Sequence, residues 1–556
     1  MKRILSLVLS LLMLASLCTG IAIAEEPRVL TIGSCEEIGS RWFEYESFAK
    51  LQEELNIKIE YTYYNEDSFN AMLAGGDMPD IVYCKNRLSN ILDNGLAMDV
   101  YPYLEQYAPN LLSDEYAAAL GYTRETMGGE DQSFRIISGN IGQHNWNGGS
   151  NVTSRGYIVQ WDYYKELGCP EINSDDDYIA VLQQMLENHP TADDGTPAYL
   201  MGVEKTFTDM GGYRACFLKD VALNAWSPYL YRNNIFTNDL VNCYTDTENS
   251  NYWVDMEFYN KIYRLGGFDI DSFTMTSDEY YAKLDKNAYM GLYYDGGTNY
   301  VSVPSSNVTV YANTIMMVGQ TPTRFLFIPE GCENYDIALQ FINKLFDKDF
   351  LREHYSGYEG EQWNYDENGV PALTEESING IINKEDFWST DFNGHGARIL
   401  NFCGYNPAVP HDDGYPLNLA LTDSALAASS NAVTKDFNET YGVAHWFDAF
   451  KNAGCLDWRN NGESIAAGVA EVPTDILRIM ETCNDIMYTA MPSLIMAESD
   501  EEFAEVRDEV LASLAANGEN DAWEWYRAAW DVSKNTYNGY LANQLEALGM
   551  EKYVVE

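Results

Sequence analysis

Positive charge is scarce in this chain: 34 lysines and arginines stand against 85 aspartates and glutamates in 556 residues, a formal net charge of −51. Binding to a phosphate backbone draws on cationic side chains that displace counterions, so nucleic acid is excluded as a partner. The acidity reads as solubility of an exposed surface. Histidine is also scarce, with six scattered residues, and no GxSxG, HExxH or P-loop pattern is present. The ten cysteines contain no CxxC pair, which suggests neither a zinc site nor a full disulfide framework. No internal repeat or long low-complexity linker occurs. Past the N-terminus no segment is apolar for the roughly 18 residues a membrane span requires, so any membrane-spanning component must be another chain.

The N-terminus is built differently. Lys2 and Arg3 precede an apolar stretch from Ile4 to Leu17, and Ala22-Ile23-Ala24 precede Glu25, the layout of a cleavable signal peptide. Glu25 is the expected first residue of a mature, secreted chain of 532 residues with net charge −53 and nine cysteines, since Lys2, Arg3 and Cys18 are removed. Cys18 raises the alternative of lipoprotein attachment, but Leu17 stands where a lipobox needs a small residue. The mature length accommodates two large lobes.

The opening reads β-α-β: the strand LTIG (30 to 33), a helix carrying Phe48, Leu51 and Leu55 at helical spacing, and the strand IKIEYTYY. AGGDMPDIVY, Ala74 to Tyr83, is the most informative stretch. Gly75 and Gly76 stop a helix, Asp77 and Pro79 set a turn, and IVY makes a short buried strand. Ligands in open α/β sheets sit beyond the carboxyl ends of strands, so Tyr83, Lys85, Asn86 and Arg87 are candidates for a cleft wall. A second alternation follows Arg155, with YIVQ as a strand and NSDDDYIAVLQQMLENH as a helix whose acidic run, Asp175 to Asp177, caps it and complements its dipole. Ser499-Asp500-Glu501-Glu502 reads as a capping box opening a helix that ends near Asn517-Gly518.

GDMPDIV with Gly95-Leu96 and Leu104 downstream resembles the first lobe of bacterial ABC-transporter extracellular solute-binding proteins, which include the maltose-binding type. GYIVQWDYYKELGCPEI (156 to 172) resembles the entry to that family's second lobe, and FIPEGCENYDIALQFINKLFD (327 to 347) its return helix. GYEGEQW (357 to 363) and MPSLIMAESDEEFAEVRDEVLASL (491 to 514) resemble a large subgroup of oligosaccharide or lipoprotein binders. The resemblance implies a two-lobed α/β fold of the periplasmic-binding-protein type II, with a hinge and an interlobe cleft. Lobe one is expected over 27–152 and 305–375, lobe two over 153–304 and 376–556. It further implies a non-enzymatic monomer that captures an oligosaccharide outside the cell for ABC permease subunits in the membrane. No cofactor is expected.

Tyrosines and tryptophans cluster with amides in HNWNGGSN, NAWSPYLYRNN and GLYYDGGTNY, the pairing that sugar recognition uses. An aromatic face packs on a pyranose while amides and carboxylates bond its hydroxyls. The same rings serve equally as core. The candidates are Trp226 and Tyr231; Tyr293, Tyr294 and Asp295, which match a cleft segment of maltose-type relatives; His144, Trp146 and Asn147 on the expected crossing segment; Trp363; and Glu36. NYDENGVPALTE spaces Asn364, Asp366, Asn368 and Glu375 like a calcium loop, but position one lacks a charge, and an Asn-Gly hairpin turn is the default explanation. Two other readings stay open. A secreted carbohydrate-active hydrolase needs only two acids about 5 to 10 Å apart in a cleft, and the same fold also binds peptides or other small molecules.

Overall fold

The structure is a computed structural model that describes residues 26–36, 43, 45–85, 87–145, 156–204, 214–224, 229–293, 297–316, 324–383, 404–459 and 462–547. The chain opens as β1 (Arg28–Ser34), α1 (Glu46–Leu55), β2 (Ile57–Tyr63), α2 (Glu66–Gly75) and β3 (Ile81–Lys85). Alternation dictates this layout. Phe48 and Leu51 bury one face of α1, and Gly76 takes φ +72° to close α2, as its lack of a Cβ allows. β1 lies between β2 and β3 and runs parallel to both. α3 (Asp114–Met127) follows, and β4 (Gly142–Asn145) leads out.

A second unit begins at β5 (Ile158–Gln160) and α4 (Asp175–Asn188), where Ser174 accepts the Asp177 N–H as N-cap. It continues through β6 (Tyr231–Asn233), β7 (Leu240–Asn242), α5 (Asn251–Arg264), α6 (Ser277–Leu284), β8 (Gly291–Leu292) and β9 (Tyr300–Ser302). β5 pairs antiparallel with β8 and β9, and β6 with β7. The acidic run at the start of α4 does more than complement a dipole. Asp175 receives two nitrogens of the Arg214 guanidinium at 2.9 and 3.0 Å, and Asp255 on α5 lies 3.3 Å from its Nε.

The return runs through β10 (Val310–Met316) and β11 (Arg324–Phe327), the latter antiparallel to β3 and completing the sheet β11-β3-β1-β2. α7 (Tyr335–Lys344) and α8 (Lys348–Ser356) cover that sheet, and a hairpin of β12 (Trp363–Tyr365) and β13 (Pro371–Leu373) follows. β14 (Leu456–Arg459) pairs parallel with β10, which pairs antiparallel with β4, so three segments running between the two units share one small sheet. Three helices close the described chain: α9 (Thr474–Ile495), α10 (Asp500–Ala516) and α11 (Glu519–Ala547).

Two main apolar cores result, one in each lobe of a two-lobed α/β fold. The first gathers Leu30, Ile32, Tyr83, Leu326 and Phe341; the second gathers Val159, Tyr178, Trp253, Leu292 and Met487. The segment after residue 404 contributes to both cores. Tyr405, Val409 and Leu417 pack into the first core, and Ile141 exchanges backbone hydrogen bonds with Gly404 and Asn406. The helices 432–441 and 446–452 then return to the second core through Phe437, Trp446 and Phe450. This packing is not legible in the chain, because the segment is loop-rich and has no strong periodicity. Among the described residues no helix is long and apolar enough to cross a membrane.

Candidate functional site

The carboxyl ends of β1 and β3 hold a cluster around one carboxylate. Glu36, two residues past β1, accepts Lys85 Nζ at 2.7 Å, Arg324 Nε at 3.1 Å and the Tyr83 hydroxyl at 2.9 Å. Register assembles it: Arg324 opens β11 directly opposite Lys85 at the end of β3. Its backbone is fixed as well, since the Glu36 N–H donates to Ser34 Oγ at 3.0 Å and the Tyr61 hydroxyl donates to the Glu36 carbonyl at 3.2 Å. Burial alone would push this carboxyl up. Hydrogen bonds from Lys85, Arg324 and Tyr83 more than offset that and hold it at about 2. One carboxylate between two cations leaves the cluster with a single net positive charge in an otherwise strongly acidic protein.

The second lobe carries a smaller counterpart. Residues 199–201 run parallel to 289–291, with Met290 N–H on the Tyr199 carbonyl and Gly291 N–H on that of Leu200, both at 3.0 Å. Glu204 and Tyr293 therefore both lie past the carboxyl ends of parallel segments, the place where open α/β sheets hold ligands. The Tyr293 hydroxyl donates to Glu204 Oε1 at 3.2 Å. Burial, then Tyr280 and Glu204, push the Tyr293 phenol far above its ordinary value, so it stays a donor. Glu204 Oε2 is buried and has no hydrogen-bond partner among the described residues. An acceptor without a partner at such an edge is suited to a hydroxyl group.

The expected site residues fall into four groups, besides Tyr293, which is 6% exposed and takes part through its hydroxyl in the second-lobe pair. Glu36, Tyr83 and Lys85 come together in the first-lobe cluster, but the Tyr83 ring is fully buried and only its hydroxyl takes part. Arg87 turns away: its Nε and Nη2 lie 3.2 and 3.1 Å from Asn70 Oδ1 on α2, with Glu66 at 3.6 Å and the Phe69 ring beneath. Two aromatic candidates need correction, because a sugar platform requires an open ring face. Tyr231 is 2% exposed, packed against Tyr244, Trp523 and Tyr526 with its hydroxyl 3.1 Å from Glu519. Trp363 is 6% exposed, and its Nε1 donates to the Gly357 carbonyl at 2.9 Å. Asn86, Trp146, Asn147, Trp226, Tyr294 and Asp295 lie outside the described residues, as does the His144 side chain.

The calcium-like spacing resolves into a turn. Asp366 accepts the backbone N–H groups of Asn368 at 2.8 Å and Val370 at 2.9 Å through one oxygen, and Gly369 takes φ +77° between β12 and β13. Asn364 pairs with Ala372 across the hairpin, and Glu375 opens the helix 375–382 behind the N-cap Thr374. Among the described residues no group of three or more His, Cys, Asp or Glu could hold a metal. Arg324 and Glu204 are the site residues that sequence reasoning missed. Strand order alone brings Arg324 to Lys85, and nothing in the residues near 204 announces a buried carboxylate.

This arrangement can be set beside solved structures. An HMO-binding ABC-transporter-associated solute-binding protein from Bifidobacterium longum infantis superposes with TM-score 0.57 at 15% identity, covering 91% of this chain and 99% of that one. An extracellular solute-binding protein from Bifidobacterium longum subsp. infantis gives TM-score 0.60 at 13% identity, covering 92% and 99%. The fold is that of the ABC-transporter solute-binding proteins. A third such structure, the substrate-binding protein FusA of S. pneumoniae in complex with kestose, gives TM-score 0.53 at 16% identity, covering 93% and 100%. Coverage of this extent on both sides means that the solute-binding fold accounts for both lobes and the long C-terminal helices together. No protein-family model matches the chain, and no curated protein does.

Proposed function

We propose that this chain is the extracellular substrate-binding component of an ABC importer, capturing an oligosaccharide in the cleft between its lobes and delivering it to membrane permease subunits. The observation that carries the reading is the fold shared over more than nine-tenths of the chain with solute-binding proteins, among them an HMO binder and one in complex with kestose. The signal-peptide layout at residues 1–24 supports export, and the reading is of a monomer that binds without catalysis and needs no cofactor.

On this reading the Glu36–Lys85–Arg324 cluster and the Glu204–Tyr293 pair are the polar ends of the site. Carboxylates accept from sugar hydroxyls, and the cations donate to hydroxyls or to a uronate. His144, Trp146, Asn147, Trp226, Tyr294 and Asp295 supply aromatic faces and amides, with Asn86 on the adjoining loop. A thermal-shift screen against neutral and uronate-containing oligosaccharides tests this, because a ligand that binds only the native state raises the melting temperature. A specific, saturable shift is expected. Release of shorter glycans during incubation would favour the hydrolase instead, and selective stabilisation by peptides would reassign the ligand class.

A further inference from the structure

Two cysteines end adjacent strands of the first-lobe sheet. Ser34 is level with Tyr83 in the parallel register of β1 and β3, so the next residues, Cys35 and Cys84, are level too, and the Cys35 N–H donates to the Tyr83 carbonyl at 3.3 Å. Level residues on neighbouring strands point to the same face, and both side chains pack with Phe69, Val82 and Phe325 in one small apolar cluster. Neighbouring strands lie about 4.7–4.9 Å apart, inside the roughly 4.4–6.8 Å Cα separation that a disulfide spans. Both thiols are free.

The pair is asymmetric. Cys84 is fully buried, whereas Cys35 is only partly covered. Interaction with the Cys84 thiol pulls the Cys35 thiol below its ordinary value, against burial and the charge of Glu36 and with help from Lys85 and Arg87; the same interaction, then burial, pushes Cys84 far up. An accessible sulfur disposed to ionise beside a protonated partner is the arrangement of an attacking thiol and a resolving thiol.

We propose that Cys35 and Cys84 form a reversible dithiol–disulfide couple at the ligand edge of the first lobe, oxidised by exchange with a small-molecule or protein disulfide. The Cys35 thiolate attacks one sulfur of R–S–S–R, forming a mixed disulfide and releasing one RS⁻. With the Cys35 charge gone, Cys84 is no longer held protonated by it; Cys84 gives its proton to the released thiolate or to water and attacks the Cys35 sulfur, expelling the second RS⁻. Two protein thiols are oxidised while the external disulfide is reduced to two thiols. The new bond ties β1 to β3 one residue before Glu36 and Lys85, so oxidation fixes the turn that carries the cluster. This couple is independent of which ligand the cleft takes.

Equilibrating the reduced full chain with excess oxidised glutathione, then alkylating and mapping its peptides, tests the proposal. A Cys35–Cys84 linked peptide is expected, with loss of both thiols from alkylation and full recovery by dithiothreitol. Cys84→Ser should instead accumulate glutathione at Cys35. The proposal is overturned if both cysteines of the natively folded wild-type chain remain alkylatable, if glutathione persists on Cys35 unresolved, or if Cys35 links to a different cysteine.

Discussion

Glu36 shows how a charge can be held where burial opposes it. Its folded pKa of about 2 lies below the ordinary carboxylate value, so its grip on Lys85 and Arg324 contributes stability fully above about pH 4.5 and loses it as pH falls toward 2. Glu36→Gln should therefore lower the urea midpoint at pH 7, and the gap from wild type should close between about pH 4.5 and 2. A gap that stays constant across that window would show that the carboxylate charge is not what the cluster uses. Tyrosine and tryptophan changes separate packing from recognition. Tyr231→Ala should cost about 3–5 kcal/mol of stability, as emptying a buried aromatic site does. Trp146→Ala and Trp226→Ala should instead leave the melting temperature nearly unchanged and weaken sugar binding by about 1–3 kcal/mol each if they are central anchors. Calorimetry on the three variants measures both quantities. The distinction was not legible in the chain, because Tyr231 stands in the same aromatic and amide company as Trp226, and only the approach of Trp523 and Tyr526 from α11 shows that its ring is covered.

Elements were legible where local chemistry decides them. The stop of α2 at Gly76, the buried strand after Pro79 and the Ser174 cap of α4 all follow from residues within a few positions. At Ser499 the expected capping box forms only in part. Ser499 accepts the Glu502 N–H at 3.1 Å, but the Glu502 carboxylate reaches back to the Glu498 N–H at 2.8 Å, whereas the reciprocal capping box forms at Thr276 and Glu279. Contacts distant in sequence were hidden for the opposite reason. Nothing near Asp175 or Asp255 reveals that Arg214, whose side chain is fully buried, joins α4 to α5 through both of them. Removing one partner of a buried ion pair is costly, and Arg214→Ala takes the guanidinium away from the fully buried Asp255. A loss of roughly 3–5 kcal/mol in chemical denaturation is expected, and a loss below about 1 kcal/mol would mean that Asp255 finds water or a proton at little cost.

At the scale of the whole molecule, α11 reaches across both lobes. Its first residue, Glu519, is buried in the second lobe, where it accepts from Asn242 at 2.8 Å, while its later turns bring Tyr537 and Leu541 against Tyr122 of α3 in the first. Tyr540 hydrogen-bonds Glu125 at 2.6 Å and lies so close to Gly121 that any Cβ there would meet its ring at 2.6 Å. Twenty-nine residues of helix span roughly 44 Å at the usual rise, enough to brace both lobes from one side. On the proposed function, closure about the small sheet of β4, β10 and β14 proceeds against this brace. Small-angle scattering of the full chain, with and without a saturating oligosaccharide chosen by thermal shift, tests capture by closure most directly. A smaller radius of gyration on saturation is the expected result; an unchanged scattering profile, with binding verified in the same sample, would contradict it.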